Sequence, residues 1–349
     1  MSYFEFDDVK RFHQPYEDPM IRGPYWKPGY DNSLRYNMKQ ALYPASIIGF
    51  FYEPFRHFVN SVRVMNGYYE WPKTRSEANI FFREVFRLPN FWKDAMKKSM
   101  FGFAHFAGDV GVKMSMWKYI YGGTSSPVEY ADWNAFKYLF CAQIAFIPTC
   151  WTAIPFEMAS RAYYADKTWP VELRRGYTSP LNALLRIPIE EGPSYLFKGG
   201  MTIAARDWVF YTFFCGVYTF LKNKLFFLWV YHDFSYNYIK TLNFVGAWSV
   251  AWGLAYPFHY ARELVDLWPK ERGGNCTWGN SYNNAIRWMF ENIDILYTNF
   301  FVNYWSFMLK KGFPIWIMMW MFDNQGFFTN SMDPHLSLET YFPIAMESV

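Results

Sequence analysis

Ile154-Pro155-Phe156-Glu157-Met158-Ala159-Ser160-Arg161 ends an uncharged stretch, and its Pro-Phe pair recurs only at Pro54-Phe55 and Pro257-Phe258. The three prolines stand 101 and 102 residues apart. A second marker follows each of them: Phe91-Trp92-Lys93-Asp94, Leu196-Phe197-Lys198-Gly199 and Leu296-Tyr297-Thr298-Asn299. From proline to third marker residue the distances are 39, 43 and 41. Ordered markers at one period of about a hundred residues indicate an internal repeat. Each unit reads as an apolar helix that nears its end at the proline, a polar connection with a short amphipathic segment, an aromatic-basic-small turn and a second apolar helix. Working outward, the chain divides into an arm over residues 1–40, a domain over 41–325 with repeats at about 41–125, 126–228 and 229–325, and a tail over 326–349.

The composition agrees with a chain that must bury large rings. Aromatic residues make up 23% and charged residues 18%, which excludes a disordered tail, a coiled coil or a collagen-like repeat. Tyr138 to Phe156 and Thr241 to Tyr260 carry no Asp, Glu, Lys or Arg and are long enough to be membrane-span candidates. Other apolar stretches are interrupted, Met100 to Tyr121 by His105, Asp109, Lys113 and Lys118, and Met201 to Leu221 by Arg206 and Asp207. Such helices suit a polar interior and a lipid-facing exterior, although buried helices of a soluble protein have the same pattern. Mean hydropathy is only −0.15, but Tyr and Trp score as nearly polar while partitioning well into a membrane interface. A net charge of +4 without clusters gives no nucleic-acid footprint. Cys141, Cys150, Cys215 and Cys276 lack C-x-x-C spacing and read as free thiols. Acidic residues Glu5, Asp7 and Asp8 argue against a cleavable leader.

With these markers the sequence resembles the mitochondrial carrier family. The resemblance implies an all-α membrane protein, six transmembrane helices arranged as three two-helix repeats around a pseudo-threefold axis. The second repeat carries it best, through Pro155-Phe156-Glu157, Glu191-Gly192 and Phe197-Lys198-Gly199. Pro257 with Arg262, and Pro54 with Trp92-Lys93, are partial copies. In the family, the residues two and five places after each proline lie on one helix face and pair around the axis as the matrix gate. Here they are Arg56 and Val59, Glu157 and Ser160, His259 and Arg262, so Glu157 with Arg262 is the one bridge left, read either as a gate remnant or as a lone structural pair inside the bundle. The resemblance also places the substrate contacts at Phe101, Arg206 and Ser306. Arg206-Asp207 reads either as a grip on a substrate carboxylate or as a self-neutralised relic. The outward helix ends offer few charges for a second gate: Lys113 or Lys118, Thr219 with Lys222, and Met318 or Asp323.

No helical histidine pair, phosphate-binding loop or G-x-S-x-G elbow occurs, so neither a metal, a cofactor nor an enzyme is expected. Asp109 and Lys113, one turn apart, line a cavity or form an ordinary surface pair. The resemblance implies location in the mitochondrial inner membrane, and bound cardiolipin or another phospholipid at helix starts such as Gly199-Gly200, where N–H groups suit phosphate. Two functions follow. In the first, the chain is a transport-degenerate structural subunit of a large inner-membrane assembly, a respiratory-chain complex or supercomplex, with other membrane subunits as partners. In the second, it is a solute carrier for an amino-acid-like or carboxylate substrate. The rings spread over spans and arms favour the first, since interface cores are rich in Trp, Tyr, Phe and Met.

Overall fold

Prolines and glycines set where the helices bend. In a computed structural model that describes residues 33–68, 74–88, 90–124, 135–168, 172, 174–197, 200–232, 235–267, 287–308, 312–324 and 327–328, the secondary structure is helical and no strand occurs among the described residues. Helix α1 (Leu34–Ile47) passes through a π-helical turn, Ile48–Tyr52, into α2 (Glu53–Tyr68). The wide turn ends where Pro54, lacking an N–H, prevents an ordinary helical bond to the preceding turn. A short helix α3 (Arg75–Arg87) follows, its first turn capped by Thr74, whose Oγ1 accepts from the Glu77 amide at 3.3 Å. Helix α4 (Phe91–His105) continues through a second π-helical turn, Phe106–Gly111, into α5 (Val112–Thr124).

The second pair begins with α6 (Ala135–Phe146) and α7 (Ile154–Thr168). Tyr138 to Phe156, expected as one uncharged span, is therefore two helices joined by turns at 147–153. Pro148 and Pro155 are the reason, because each removes a donor and its ring crowds the preceding turn. Pro155 sits at the second position of α7, where no intrahelical N–H is required. Helix α8 (Pro180–Glu190) is capped by Ser179 and starts with proline, and a 3₁₀ turn (Pro193–Phe197) leads to α9 (Met201–His232). Helices α10 (Tyr236–Leu267), α11 (Ile293–Phe307) and α12 (Phe313–Asn324) complete the order. Thr241 to Tyr260 lies wholly inside α10, yet no helix of the described residues is long and apolar enough to cross a membrane. Length is not what α9 and α10 lack, at 32 residues each. Their frequent Tyr, Trp and charged residues are what lower the hydropathy.

The chain divides into two compact units, one of residues 41–112 and 151–204, the other of residues up to 40, 113–150 and 205–349. In the first unit, α7 and α8 close a core of Ala159, Tyr163, Tyr177, Ala183, Ile187 and Leu196. Asp166, near the end of α7, accepts the backbone amide of Tyr177 at 2.9 Å and that of Arg175 at 2.5 Å, which fixes the connection into α8. The π-helical turn of residues 48–52 lies hard against α4. A Cβ at Gly49 would stand 2.7 Å from three atoms of Phe103. In the second unit the core is a set of ring ladders at four-residue spacing. Phe210, Phe214 and Tyr218 on α9 interleave with Phe244, Trp248 and Trp252 on α10, with Phe214–Phe244 and Phe210–Trp248 centroids 5.7 and 5.2 Å apart. Ala247, Ala251 and Ala255 are buried beside the rings and leave room for them.

The close approach at Gly49 has a measurable consequence. Gly49→Ala is expected to destabilise the protein by about 1–3 kcal/mol through overpacking. Gly253→Ala in α10, where nothing lies within 4 Å of the added carbon, is expected to be neutral or to stabilise by up to about 1 kcal/mol from helix propensity. Thermal unfolding in detergent followed by far-UV circular dichroism compares them, and equal midpoints would contradict the packing at Gly49.

Candidate functional site

Helix α9 is buried over most of its described circumference, and its buried residues include Ile203, Arg206, Asp207, Phe210, Tyr211, Phe214, Tyr218 and Lys222. Rings and charges are therefore enclosed together along this helix. Arg206 and Asp207 are both buried, and the guanidinium is turned onto its neighbour, Nε and Nη2 donating to Asp207 Oδ1 at 2.9 and 2.6 Å. The other oxygen of Asp207 accepts from Lys113 Nζ on α5 at 2.7 Å. Lys113 is 0% exposed and lies over the Tyr211 ring, 4.9 Å from its centroid. The hydrogen bonds that would grip a substrate carboxylate are made to the carboxylate next in sequence.

A second polar cluster of the same unit centres on Asp323 of α12, 2% exposed. Its Oδ1 accepts from Lys222 Nζ on α9 at 2.5 Å, and its Oδ2 stands 3.5 Å from Lys240 Nζ on α10 and 3.3 Å from the Tyr218 hydroxyl, which donates. Lys118 on α5, also buried, donates to Gln40 Oε1 at 2.7 Å. Lys118, Lys222 and Asp323 were visible in the sequence as charges at helix ends. Lys240 was not singled out there, because on its own it reads as one polar residue before an apolar run. Only the meeting of three helices turns it into a partner of Asp323.

The first unit has its own polar interior. Arg56, which the repeat pattern puts where a gate acid is expected, pairs with Glu53 at 2.7 Å, one turn back along α2. Glu53 is buried against Gly102, and His57 accepts from Lys98 Nζ at 2.8 Å while stacking on Phe91. Asp109, in the π-helical turn before α5, accepts from Thr152 Oγ1 at 2.7 Å and lies 3.7 Å from His105 Nε2. His259 packs against the Trp252 ring, 5.2 Å between centroids.

Other expected sites are less complete. Glu157 is half-buried on α7, and the Arg262 side chain lies outside the described residues, as do Lys198, Gly199, Cys276, Ser306, most of the tail and residues 1–32 of the arm. The Gly200 amide, expected to serve a lipid phosphate, donates to the Phe197 carbonyl at 3.2 Å. Pro54, Pro155 and Pro257 fall in the first turn of α2, the first turn of α7 and the body of α10. Cys141, Cys150 and Cys215 are buried free thiols, and no group of three metal-ligating side chains occurs among the described residues.

Removing one partner of a buried ion cluster leaves charges without compensation, at about 3–5 kcal/mol. Asp323→Ala, which strands Lys222 and Lys240 together, is expected to cost that much. Lys222→Met is expected to cost clearly less, because Lys240 still faces the carboxylate and the hydrocarbon stem is kept. Thermal unfolding of the two variants in detergent ranks them, and the reverse order would show that Asp323 does not hold the cluster. No protein-family model and no curated protein matches this chain.

Proposed function

We propose that the chain is a carrier-fold membrane protein retired from transport and kept as a structural subunit of a large assembly in the mitochondrial inner membrane. The membrane part rests on one observation, an inverted distribution of polarity. Lys113, Lys118, Arg206, Asp207, Lys222, Lys240 and Asp323 are buried, while Phe51 is 74% exposed, Phe136 81%, and Tyr43, Phe55, Phe140, Leu242, Val250 and Leu254 are also exposed. In water this arrangement is doubly unfavourable, since charges lose hydration and apolar surface stays wet. In a bilayer the outer rings and aliphatic side chains meet hydrocarbon and the charges find each other inside. At a rise of about 1.5 Å per residue, α9 and α10 exceed the roughly 30 Å of a bilayer core. Rings suited to the interface account for their low hydropathy.

The element order supports the carrier reading. Helices at 34–68 and 91–124, at 135–146 with 154–168 and 201–232, and at 236–267 and 293–307 with 313–324 alternate with the short helices α3 and α8 and a helical turn at 287–291. Loss of transport is supported by the engagement of Arg206 with Asp207 and Lys113, and by Arg56 being held within its own helix by Glu53. A gate that alternates needs several bridges between helices that form and break together, each worth only about 0–1 kcal/mol when exposed. The assembly is proposed to be of the respiratory chain, on the location that the resemblance implies.

A second reading, a working carrier of carboxylate or amino-acid solutes, draws on the two cations that share Asp207. Three measurements separate the possibilities. Carbonate washing of mitochondrial membranes is expected to leave the protein in the pellet, and its release would sink the membrane reading. Mild detergent and native electrophoresis are expected to show it in a particle far larger than 41.8 kDa, and a free single chain would sink the subunit reading. Liposomes containing the pure protein are expected not to exchange amino acids or carboxylates, and exchange abolished by Arg206→Ala would establish the carrier instead.

A further inference from the structure

Phe327 and Phe328 follow α12, where a chain leaving a helical bundle ordinarily runs over the surface. Both are instead fully buried. The Phe327 amide donates to the Phe322 carbonyl at 2.9 Å, which turns the chain back on the end of the helix. Its ring packs on Phe322 with centroids 4.7 Å apart, and Lys118 Nζ lies 4.7 Å from its centroid. The Phe328 ring packs on Tyr218, 4.8 Å away, and faces Trp117 at 6.3 Å. Tyr218 in turn donates to Asp323. The two rings therefore touch α5, α9 and α12 at once and cover the level at which Lys118 and Asp323 sit.

One turn further along α5 and α9 from Trp117 and Tyr218 lie Met114 and Cys215, both buried, with Cys215 Sγ 4.0 Å from Met114 Sδ. We propose that Phe327 and Phe328 form a strap that seals this end of the unit, and that lifting the strap opens the Met114–Cys215 level to water. A cation held over a ring and rings packed on rings bind well only while water is excluded. Once one ring leaves, Lys118 hydrates, and the contacts of the other weaken with it. The strap is thus a closed or open device rather than a graded one. It acts on this unit alone and does not depend on whether the chain is a subunit or a carrier.

Cys215 reports on the strap directly. The full chain with Cys141, Cys150 and Cys276 replaced by alanine is placed in liposomes and treated with a charged methanethiosulfonate, which converts the Cys215 thiol to a mixed disulfide and releases a sulfinate. Slow labelling is expected in this parent, a rise of about tenfold or more in Phe327→Ala/Phe328→Ala, and a parent-like rate in Phe327→Leu/Phe328→Leu, which keeps apolar bulk. Lys118→Gln, which retains both rings and removes the cation, is expected to speed labelling by a smaller factor. Labelling of the parent as fast as the alanine pair, or of the alanine pair as slow as the parent, overturns the proposal. If the alanine pair does not fold, Lys118→Gln decides, and a parent-like rate there overturns it as well.

Discussion

Asp207 and Asp323 each hold two cations inside a unit whose core is rich in rings packed among Ala, Met and Cys side chains. Lys113 and Arg206 meet on the first carboxylate, Lys222 and Lys240 on the second. A buried carboxylate of this kind constrains a fold more than it stabilises it. Its desolvation cancels much of the attraction, but an arrangement that separates it from its cations is heavily penalised. The helices α5, α9, α10 and α12 therefore have little freedom to rotate about their axes, since each must keep one charged side chain in register with a partner on another. The ring ladders of α9 and α10 fill the register so defined. Aromatic faces slide over one another at modest cost, so the ion clusters and not the rings fix the rotation of the helices.

The markers from which a repeat is read are local signals, prolines and aromatic-basic turns at a fixed period, whereas the two compact units of the structure are drawn from stretches far apart in sequence and carry no such mark. Helix starts at Thr74 and Ser179-Pro180 likewise follow from local capping chemistry. The break in the run from Tyr138 to Phe156 was legible too, in Pro148 and Pro155, but an uncharged composition outweighed it in reading that stretch as one span. The charged interior was read only in part. Arg206 and Asp207 stood out because they interrupt an apolar run, and so did Lys113 and Lys118. Which of them meet was not legible, since Lys113 and Asp207 are 94 residues apart and no spacing rule links them. The pairing of Arg56 with Glu53 had a local sign, two opposite charges three apart on one helix, yet the repeat pattern drew the eye to partners around an axis. Lys240 and the buried Phe327-Phe328 pair had no sign at all, because each gains meaning only from three helices that converge on it.

The aromatic excess acquires two separate roles. Inside, rings at four-residue spacing let α9 and α10 pack with Ala247, Ala251 and Ala255 as the recesses, a way of filling volume without the many rotamers of long aliphatic chains. Outside, rings stand among aliphatic side chains. The exposed positions of α10 include Leu242, Val245, Val250 and Leu254 beside Tyr238 and Phe258, and those of α1, its π-helical turn and α2 include Tyr43, Phe50, Phe51 and Phe55 beside Met38 and Leu42, so both kinds of side chain are mixed on each. Aliphatic side chains suffice against lipid tails, while rings contribute more against a protein surface, where flat area and few rotatable bonds favour them.

The exposed rings bear on the low hydropathy of the helices. A span selected only for contact with lipid gains most from Leu, Ile and Val, and its hydropathy is high as a result. A helix that also packs rings inward, keeps a lysine for a distant carboxylate and turns rings outward loses hydropathy for three separate reasons. What the average leaves out is where the polar atoms lie. In α9 the charged residues Arg206, Asp207 and Lys222 are buried together with Phe210, Phe214 and Tyr218. An average taken along the sequence cannot tell enclosed polarity from exposed polarity, whereas burial can, and the exposed residues among those described in α9 are Met201 and Trp208.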